Sequence, residues 1–112
     1  MAIIGHRIEK KLSIQEFSEL MGNYSSESII CTEHTFFRLS ERQRKLFKCT
    51  ELKSYLLEKR PILAGIQYNG NYAVFYSHGN DEIIKIILDV SVHKIEIVTF
   101  YTLNKQQIPM LK

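Results

Sequence analysis

The sequence predicts a single-domain α+β protein whose helices precede and pack on a four-stranded, mainly antiparallel β-meander. The chain has 112 residues, of which 45% are hydrophobic and 24% charged, as is usual for one domain with one core. Apolar residues recur at helical spacing before Pro61 and with a period of two after it. The β-rich segments after Pro61 are joined by links too short for parallel crossovers, which favours an antiparallel meander.

Before Pro61, capping signals accompany the helical spacing. The segment Ser13 to Glu16 has the pattern of a capping box, in which a hydroxyl and a carboxylate exchange hydrogen bonds with the first turn. Thr50 is expected to cap the last helix, which must end before Pro61 because a residue preceding proline avoids helical geometry. The predicted helices cover residues 14–21, 32–48 and 51–59.

After Pro61, turn signals separate four segments rich in β-branched and aromatic residues. Asn69-Gly70-Asn71 predicts a tight hairpin turn, because Asn and Gly readily adopt the positive φ that such turns need. In the third segment one face carries the core residues and Lys85 and Asp89 mark the other. The core face consists of Ile84, Ile86, Leu88 and Val90, and the predicted strands cover residues 62–68, 72–77, 82–90 and 94–102, with a shorter one at 28–31.

The cysteine count and the lack of long apolar segments predict a cytoplasmic protein with no membrane partner. Cys31 and Cys49 are too few for a disulfide framework, so we expect two small buried thiols in a reducing compartment. No apolar run approaches the ~18 residues of a membrane-spanning helix. The N-terminal segment becomes charged too early to form the apolar core of a signal peptide.

No motif in the chain indicates a metal or a cofactor. The four histidines lack metal-ligand spacing, and there is no Cys-x-x-Cys pair. Glycine-rich phosphate loops and nucleophile elbows are likewise missing from the sequence. We therefore expect neither cofactor nor metal, which argues against metalloenzymes, nucleotide-binding folds and α/β hydrolases.

Positive charge is concentrated on the segment from Arg38 to Lys48, which carries five basic residues against the single acid Glu41. Such a patch attracts phosphates, although a solvated helix face is an alternative explanation. His34, Arg38 and Arg42 are spaced by four residues, so a helix would align them on one face, with Lys45 continuing the row. A histidine can transfer a proton at neutral pH and guanidinium groups can hold a phosphate, which are the requirements of metal-free RNA cleavage.

The run from His34 to Arg42 resembles the opening helix of a family of small bacterial and archaeal proteins. In that family His-Ala-x-x-Arg-x-x-x-Arg precedes a second helix and a β-meander that ends in a Val-Thr-x-Tyr-like strand, and Val98-Thr99-Phe100-Tyr101 stands at the matching place here. The family is similar to RelE/ParE-type toxins and, more widely, to barnase-like ribonucleases. The resemblance covers residues 28–103, with Thr35 in place of the usual alanine.

The resemblance implies a metal-independent endoribonuclease, with RNA as its substrate and an antitoxin protein as its partner. It implies a toxin-like core over residues 28–103 and leaves the N-terminal part unmatched. The capping signal at Ser13 predicts that residues 1–27 form a helical extension, and we expect residues 104–112 to form a tail. The implied catalytic residues, expected to meet in one groove between the helix of residues 32–48 and the sheet, are His34, Arg38, Thr99 and Tyr101. The basic residues expected to contact nucleic acid are Arg42, Arg44, Lys45 and Lys105.

Two alternatives remain open at the level of sequence. One is a non-catalytic, ParE-like module that binds a protein, since a shared fold does not carry chemistry with it. The other is an accessory protein that binds nucleic acid through its basic patch alone. Thr99 and Tyr101 are also common strand residues, so β-propensity by itself accounts for their presence. The sequence does not indicate an oligomeric state.

Overall fold

The computed structural model describes two helices and six strands over residues 8–32, 35, 48–79 and 81–104. Along the chain these are β1 (Ile8–Leu12), α1 (Ile14–Met21), β2 (Ile29–Cys31), α2 (Cys49–Glu58), β3 (Leu63–Gln67), β4 (Tyr72–His78), β5 (Glu82–Val90) and β6 (Ile95–Asn104). A short 3-10 turn, Ser26–Ser28, precedes β2. Neither described helix is long and apolar enough to cross a membrane.

The six strands form one mixed sheet in the order β1-β3-β4-β5-β6-β2. Strands β3 to β6 are consecutive neighbours and antiparallel, as the meander prediction required. The prediction of a four-stranded sheet is nevertheless wrong, because β1 adds an antiparallel strand at one edge and β2 a parallel strand at the other. Strand β1 was not predicted, because it is charged at three consecutive positions, whereas the short strand expected at residues 28–31 is β2, whose pairing the sequence did not indicate.

The first described residues correct a second expectation, that residues 1–27 form a helical extension preceding the sheet. Residues 8–12 are strand β1, which pairs with β3, so a strand comes before the first helix. Helix α1 begins at Ile14 as predicted. The Ser13 Oγ accepts from the Glu16 N–H, and the Glu16 carboxylate accepts from the Ser13 N–H, each at 3.0 Å. These hydrogen bonds from Ser13 lower the pKa of Glu16.

Helix α2 begins two residues earlier than predicted, at Cys49, so Thr50 lies inside it and is not the cap. The cap position is Lys48, whose side chain makes no capping hydrogen bond. The Glu51 carboxylate instead accepts from the Lys48 N–H at 3.2 Å, which satisfies one backbone donor of the first turn. The helix ends at Glu58, ahead of Pro61, as the sequence predicts.

The predicted hairpin between β3 and β4 is confirmed. The Gln67 N–H donates to the Asn71 carbonyl at 2.8 Å, and the Gly70 N–H donates to the Gln67 carbonyl at 2.9 Å. Gly70 has a φ of 89°, a conformation that glycine adopts without steric cost. The Asn69 side chain accepts from the Asn71 N–H at 3.0 Å and closes the turn.

Both faces of the sheet are apolar, and we name them by what packs there. The helix face packs against α1 and α2 through Phe17, Met21, Leu52 and Leu56. The predicted core residues Ile84, Ile86 and Leu88 lie on this face, and Val90 packs against its edge. The opposite side, the far face, has a second apolar cluster built on Ala73, Phe75, Ile83 and Ile87.

Candidate functional site

The structure describes two of the eight residues that the sequence singled out. Thr99 and Tyr101 lie on β6. The six others lie outside the described residues: His34, Arg38, Arg42, Arg44, Lys45 and Lys105. The structure therefore does not test the predicted common groove.

Thr99 and Tyr101 share the far face of the sheet, as their spacing predicts. Tyr101 pairs with Lys85 of β5, and Thr99 pairs with Ile87 two residues away. Phe100, between them, points to the helix face and is 1% exposed. Thr99 and Tyr101 are half-buried. Because β5 lies beside them, these two hydroxyl groups share their face with the side chains of that strand.

The sequence predicts that Lys85 lies on the polar face of its strand, but the structure buries its side chain. It is 7% exposed, and Ile83 and Ile87 neighbour it along its own strand. Its Nζ lies 5.4 Å from the ring centroid of Phe75 on β4 and 5.4 Å from that of Tyr101 on β6. The lysine therefore sits between two aromatic rings supplied by the two neighbouring strands.

The charge of Lys85 gives this arrangement a chemical capability. Each ring stabilises an ammonium by roughly 0.5–2 kcal/mol, whereas removing it from water costs several kcal/mol. The described cross-strand partner of Lys85 on β6 is Tyr101, and Asp89 on the same face of β5 is four residues away and pairs with Glu96. An anion bound here would be attracted by the positive charge of Lys85 and could accept hydrogen bonds from the hydroxyls of Tyr101 and Thr99. We call Lys85, Phe75, Tyr101 and Thr99 the Lys85 site.

Thr35 ties the chain directly after His34 to the strand that carries this site. It is 0% exposed, and its hydroxyl donates to the Ile97 carbonyl of β6. The same oxygen accepts from the Thr32 N–H at 3.0 Å. Thr35 replaces the alanine of the resembling family, so this departure from the pattern creates a buried anchor. The anchor point on β6 is two residues before Thr99.

The sequence led us to expect two free thiols, but this prediction is wrong. Cys31 and Cys49 form a disulfide, with their Cα atoms 6.1 Å apart. The bond joins the last residue of β2 to the first residue of α2. No sequence motif reveals this pairing, because it depends on two elements meeting in space. The two bonded residues border the segment that carries the predicted basic patch.

A second polar cluster lies where α2 meets the end of β4. The Tyr55 hydroxyl is 2.9 Å from His78 Nδ1, and the rings of Tyr55 and Tyr76 are 5.3 Å apart. His78 is the half-buried last residue of β4. Burial raises the pKa of both Tyr55 and Tyr76. This cluster lies on the helix face, apart from the Lys85 site.

Metal binding has no support in the described part of the chain, where no three His, Cys, Asp or Glu side chains cluster. Comparison with known proteins identifies no relative. The chain matches no protein-family model. No curated protein and no solved structure matches it significantly either. The similarity to RelE/ParE-type toxins therefore stays a prediction from short motifs.

Proposed function

We propose that this protein is a metal-independent endoribonuclease, the cytoplasmic toxin of a toxin–antitoxin pair, and that its Lys85 site contacts the RNA. The observation that carries the proposal is the position of Lys85 between Phe75 and Tyr101, with the Thr99 hydroxyl on the same face. Two of these residues, Thr99 and Tyr101, are also ones that the sequence resemblance implies. A lysine beside hydroxyl donors and an aromatic ring suits a phosphate with an adjacent base.

Within this proposal each member of the Lys85 site has a distinct task. The ammonium attracts the phosphodiester, and Phe75 holds the lysine stem from the β4 side. Tyr101 can donate its hydroxyl to a phosphate oxygen or stack on a base, and Thr99 offers a second donor. None of these contacts reads base identity, so the site positions the RNA backbone and leaves sequence preference to other contacts.

The cleavage step is assigned to His34 and Arg38. His34 takes the proton of the ribose 2′-hydroxyl, whose oxygen attacks the adjacent phosphorus. The bond from phosphorus to the 5′-oxygen then breaks, that oxygen gains a proton, and a 2′,3′-cyclic phosphate remains. Arg38 stabilises the charge of the phosphorane with its planar pair of N–H donors. The link to the described site is Thr35, anchored on β6 directly after His34.

Binding of a labelled single-stranded RNA in the presence of a metal chelator tests the first half of the proposal. Lys85→Met keeps the stem but removes the charge, and we expect it to weaken binding roughly tenfold or more. Lys94→Met is the matched control, because Lys94 is exposed in the β5–β6 turn and loses the same charge. Affinity should fall with salt with a log–log slope of about −2 to −3.

Cleavage of the same RNA tests the second half. His34→Ala should lower the rate by about 10² to 10⁴ with little change in binding, and the wild-type product should end in a cyclic phosphate. Arg38→Lys should impair cleavage more than binding, because it keeps the charge and loses the fork. If Lys85→Met behaves like Lys94→Met, the Lys85 site has no role. RNA binding that is absent at low salt would leave the protein-binding module as the better account.

A further inference from the structure

Among the described residues, few interactions besides the Cys31–Cys49 disulfide and the hydrogen bonds of Thr35 hold the junction between β2 and α2. Strand β2 has three residues and pairs with β6 at three positions only. Helix α2 begins without a side-chain cap. Ile29 and Leu52 bury both elements in the main core, and the disulfide is the covalent link between them. We propose that this disulfide is a reversible redox site, opened by thiol reductants of the glutathione or dithiol class, and that its opening loosens the junction.

Partial exposure of the two cysteines makes them chemically reachable. Both are half-buried, whereas Ile29, two residues before Cys31, is 0% exposed. Thiol–disulfide exchange requires an attacking thiolate to approach a sulfur in line with the bond, so access limits its rate. The bond therefore lies at the border of the core, where an external thiol reaches it without unfolding the sheet.

The position of Cys49 favours the reduced state. It is the first residue of a ten-residue helix, where the N–H groups and the helix dipole stabilise a negative charge. Lys48 precedes it and adds a positive charge, while Glu51 opposes this effect from two residues further on. Cys49 is consequently the better leaving group of the pair, because a thiol whose thiolate is stabilised leaves faster.

The exchange then follows a defined order. A reductant thiolate attacks the Sγ of Cys31, the disulfide breaks, and Cys49 leaves as a thiolate that takes up a proton when solvent supplies one. A second reductant thiol attacks the mixed disulfide at the reductant's own sulfur and releases Cys31. The protein gains two electrons and two protons, and the reductant becomes a disulfide. No metal or cofactor takes part in either step.

Opening the bond removes a covalent restraint from a peripheral part of the fold. The disulfide closes a loop of the chain with a sequence separation of 18 residues. Of the 15 buried residues of the helix-face core, 12 lie outside β2 and α2. We therefore expect the reduced protein to stay folded but to lose protection near β2 and the first turn of α2. This expectation holds whether or not the chain acts on RNA.

Thermal unfolding in a glutathione buffer, titrated from oxidising to reducing, tests the inference. Thiol alkylation and mass measurement before heating report how much of the folded protein is reduced. Full reduction should lower the Tm by roughly 10 °C, from the loss of loop closure in a chain of this size. The control is the double variant Cys31→Ser with Cys49→Ser, whose Tm should not respond to the reductant and should lie near that of the reduced wild type.

Amide hydrogen exchange locates the effect. On reduction, the amides of Ile30 and Leu52 should exchange faster, whereas those of Val74 and Ile86 in the central strands should not change. Equal Tm values in the two redox states would overturn the inference. A disulfide that glutathione opens only after the protein unfolds would also overturn it, because the bond would then be a permanent structural link. Both measurements, the Tm in the two redox states and the reduction of the folded protein, use the wild-type chain, so they do not depend on the folding of a variant.

Discussion

A single buried oxygen, the Tyr76 hydroxyl, has no hydrogen-bond partner in the described part of the chain. The side chain is 1% exposed, and burial raises its pKa because a phenolate would lose its hydration. The neighbouring Tyr55 differs, since its hydroxyl is bonded to His78 Nδ1 at 2.9 Å. A buried hydroxyl without a hydrogen bond lowers the stability of the folded state, whereas a hydrogen bond roughly compensates for the free-energy cost of removing the hydroxyl from water. The two tyrosines therefore contribute in opposite directions.

Removing each hydroxyl separately should show this difference. We expect Tyr76→Phe to raise the free energy of unfolding by about 1 kcal/mol, because the ring stays and an unsatisfied group is lost. Tyr55→Phe, the matched control, should lower the free energy of unfolding by about 1 kcal/mol, since the hydrogen bond between the Tyr55 hydroxyl and His78 Nδ1 is lost. Urea unfolding followed by fluorescence measures both. Destabilisation by Tyr76→Phe would mean that a water molecule or a ligand satisfies the Tyr76 hydroxyl in solution.

Among the strands, β1 is held against β3 by a close backbone approach at Gly65. A Cβ at this position would lie 2.5 Å from the Cγ2 of Ile8 and 3.0 Å from the carbonyl oxygen of Lys10. The second contact is with backbone, which cannot move aside as a side chain can. Gly70 in the hairpin turn is the opposite case: its surroundings are open, but its φ is 89°. One glycine is needed for space and the other for conformation.

The substitutions Gly65→Ala and Gly70→Ala should consequently destabilise the protein in different ways. Gly65→Ala should cost about 1–3 kcal/mol by overpacking and should speed amide exchange in β1, because the edge strand is displaced. Gly70→Ala should cost about 1 kcal/mol through its left-handed backbone and leave the protection of β1 relative to β3 unchanged. Denaturation midpoints and hydrogen exchange distinguish the two. Equal loss of β1 protection in both variants would contradict this explanation.

The whole molecule is organised around a sheet that is buried on both faces. Ile83 and Ile84 are consecutive residues of β5 and point to opposite faces, yet each is 0% exposed. Ile84 belongs to the cluster that packs against the helices, and Ile83 belongs to the far-face cluster. A sheet with one solvated face would show clean alternation of apolar and polar residues, which this strand does not. Around Ile83 the far face is thus part of the interior, whereas Thr99 and Tyr101 on the same face are only half-buried.

If both faces are interior, Ile83→Ala and Ile84→Ala should each lower the free energy of unfolding by about 2–5 kcal/mol. The two variants remove the same atoms from adjacent positions, so each controls for the other. Urea unfolding in a two-state fit measures both values. A loss below about 0.5 kcal/mol for Ile83→Ala, with a full loss for Ile84→Ala, would show that the far face is exposed to water in solution.

Features set by neighbouring residues were predictable. The capping box of α1, the turn at Gly70, the meander of β3 to β6 and the shared face of Thr99 and Tyr101 all follow from spacing and local hydrogen bonds. The failures concern contacts between distant segments. Strand β1 was missed because a charged strand has a weak pattern until a partner pairs with it, and the strand predicted at residues 28–31 was not assigned its parallel place beside β6.

In the candidate site, too, local features were predictable and contacts between distant segments were not. Alternation along β6 was enough to place Thr99 and Tyr101 on one shared face, because side chains in a strand alternate with a period of two, but only the fold showed that this face is opposite the described helices. The ring-flanked lysine and the Cys31–Cys49 bond required the fold itself. Lys85 meets Phe75 and Tyr101 only through the register of three strands, and the cysteines meet only where β2 reaches the start of α2. Tertiary packing decided both, since their partners are remote in the chain and no local interaction selects them.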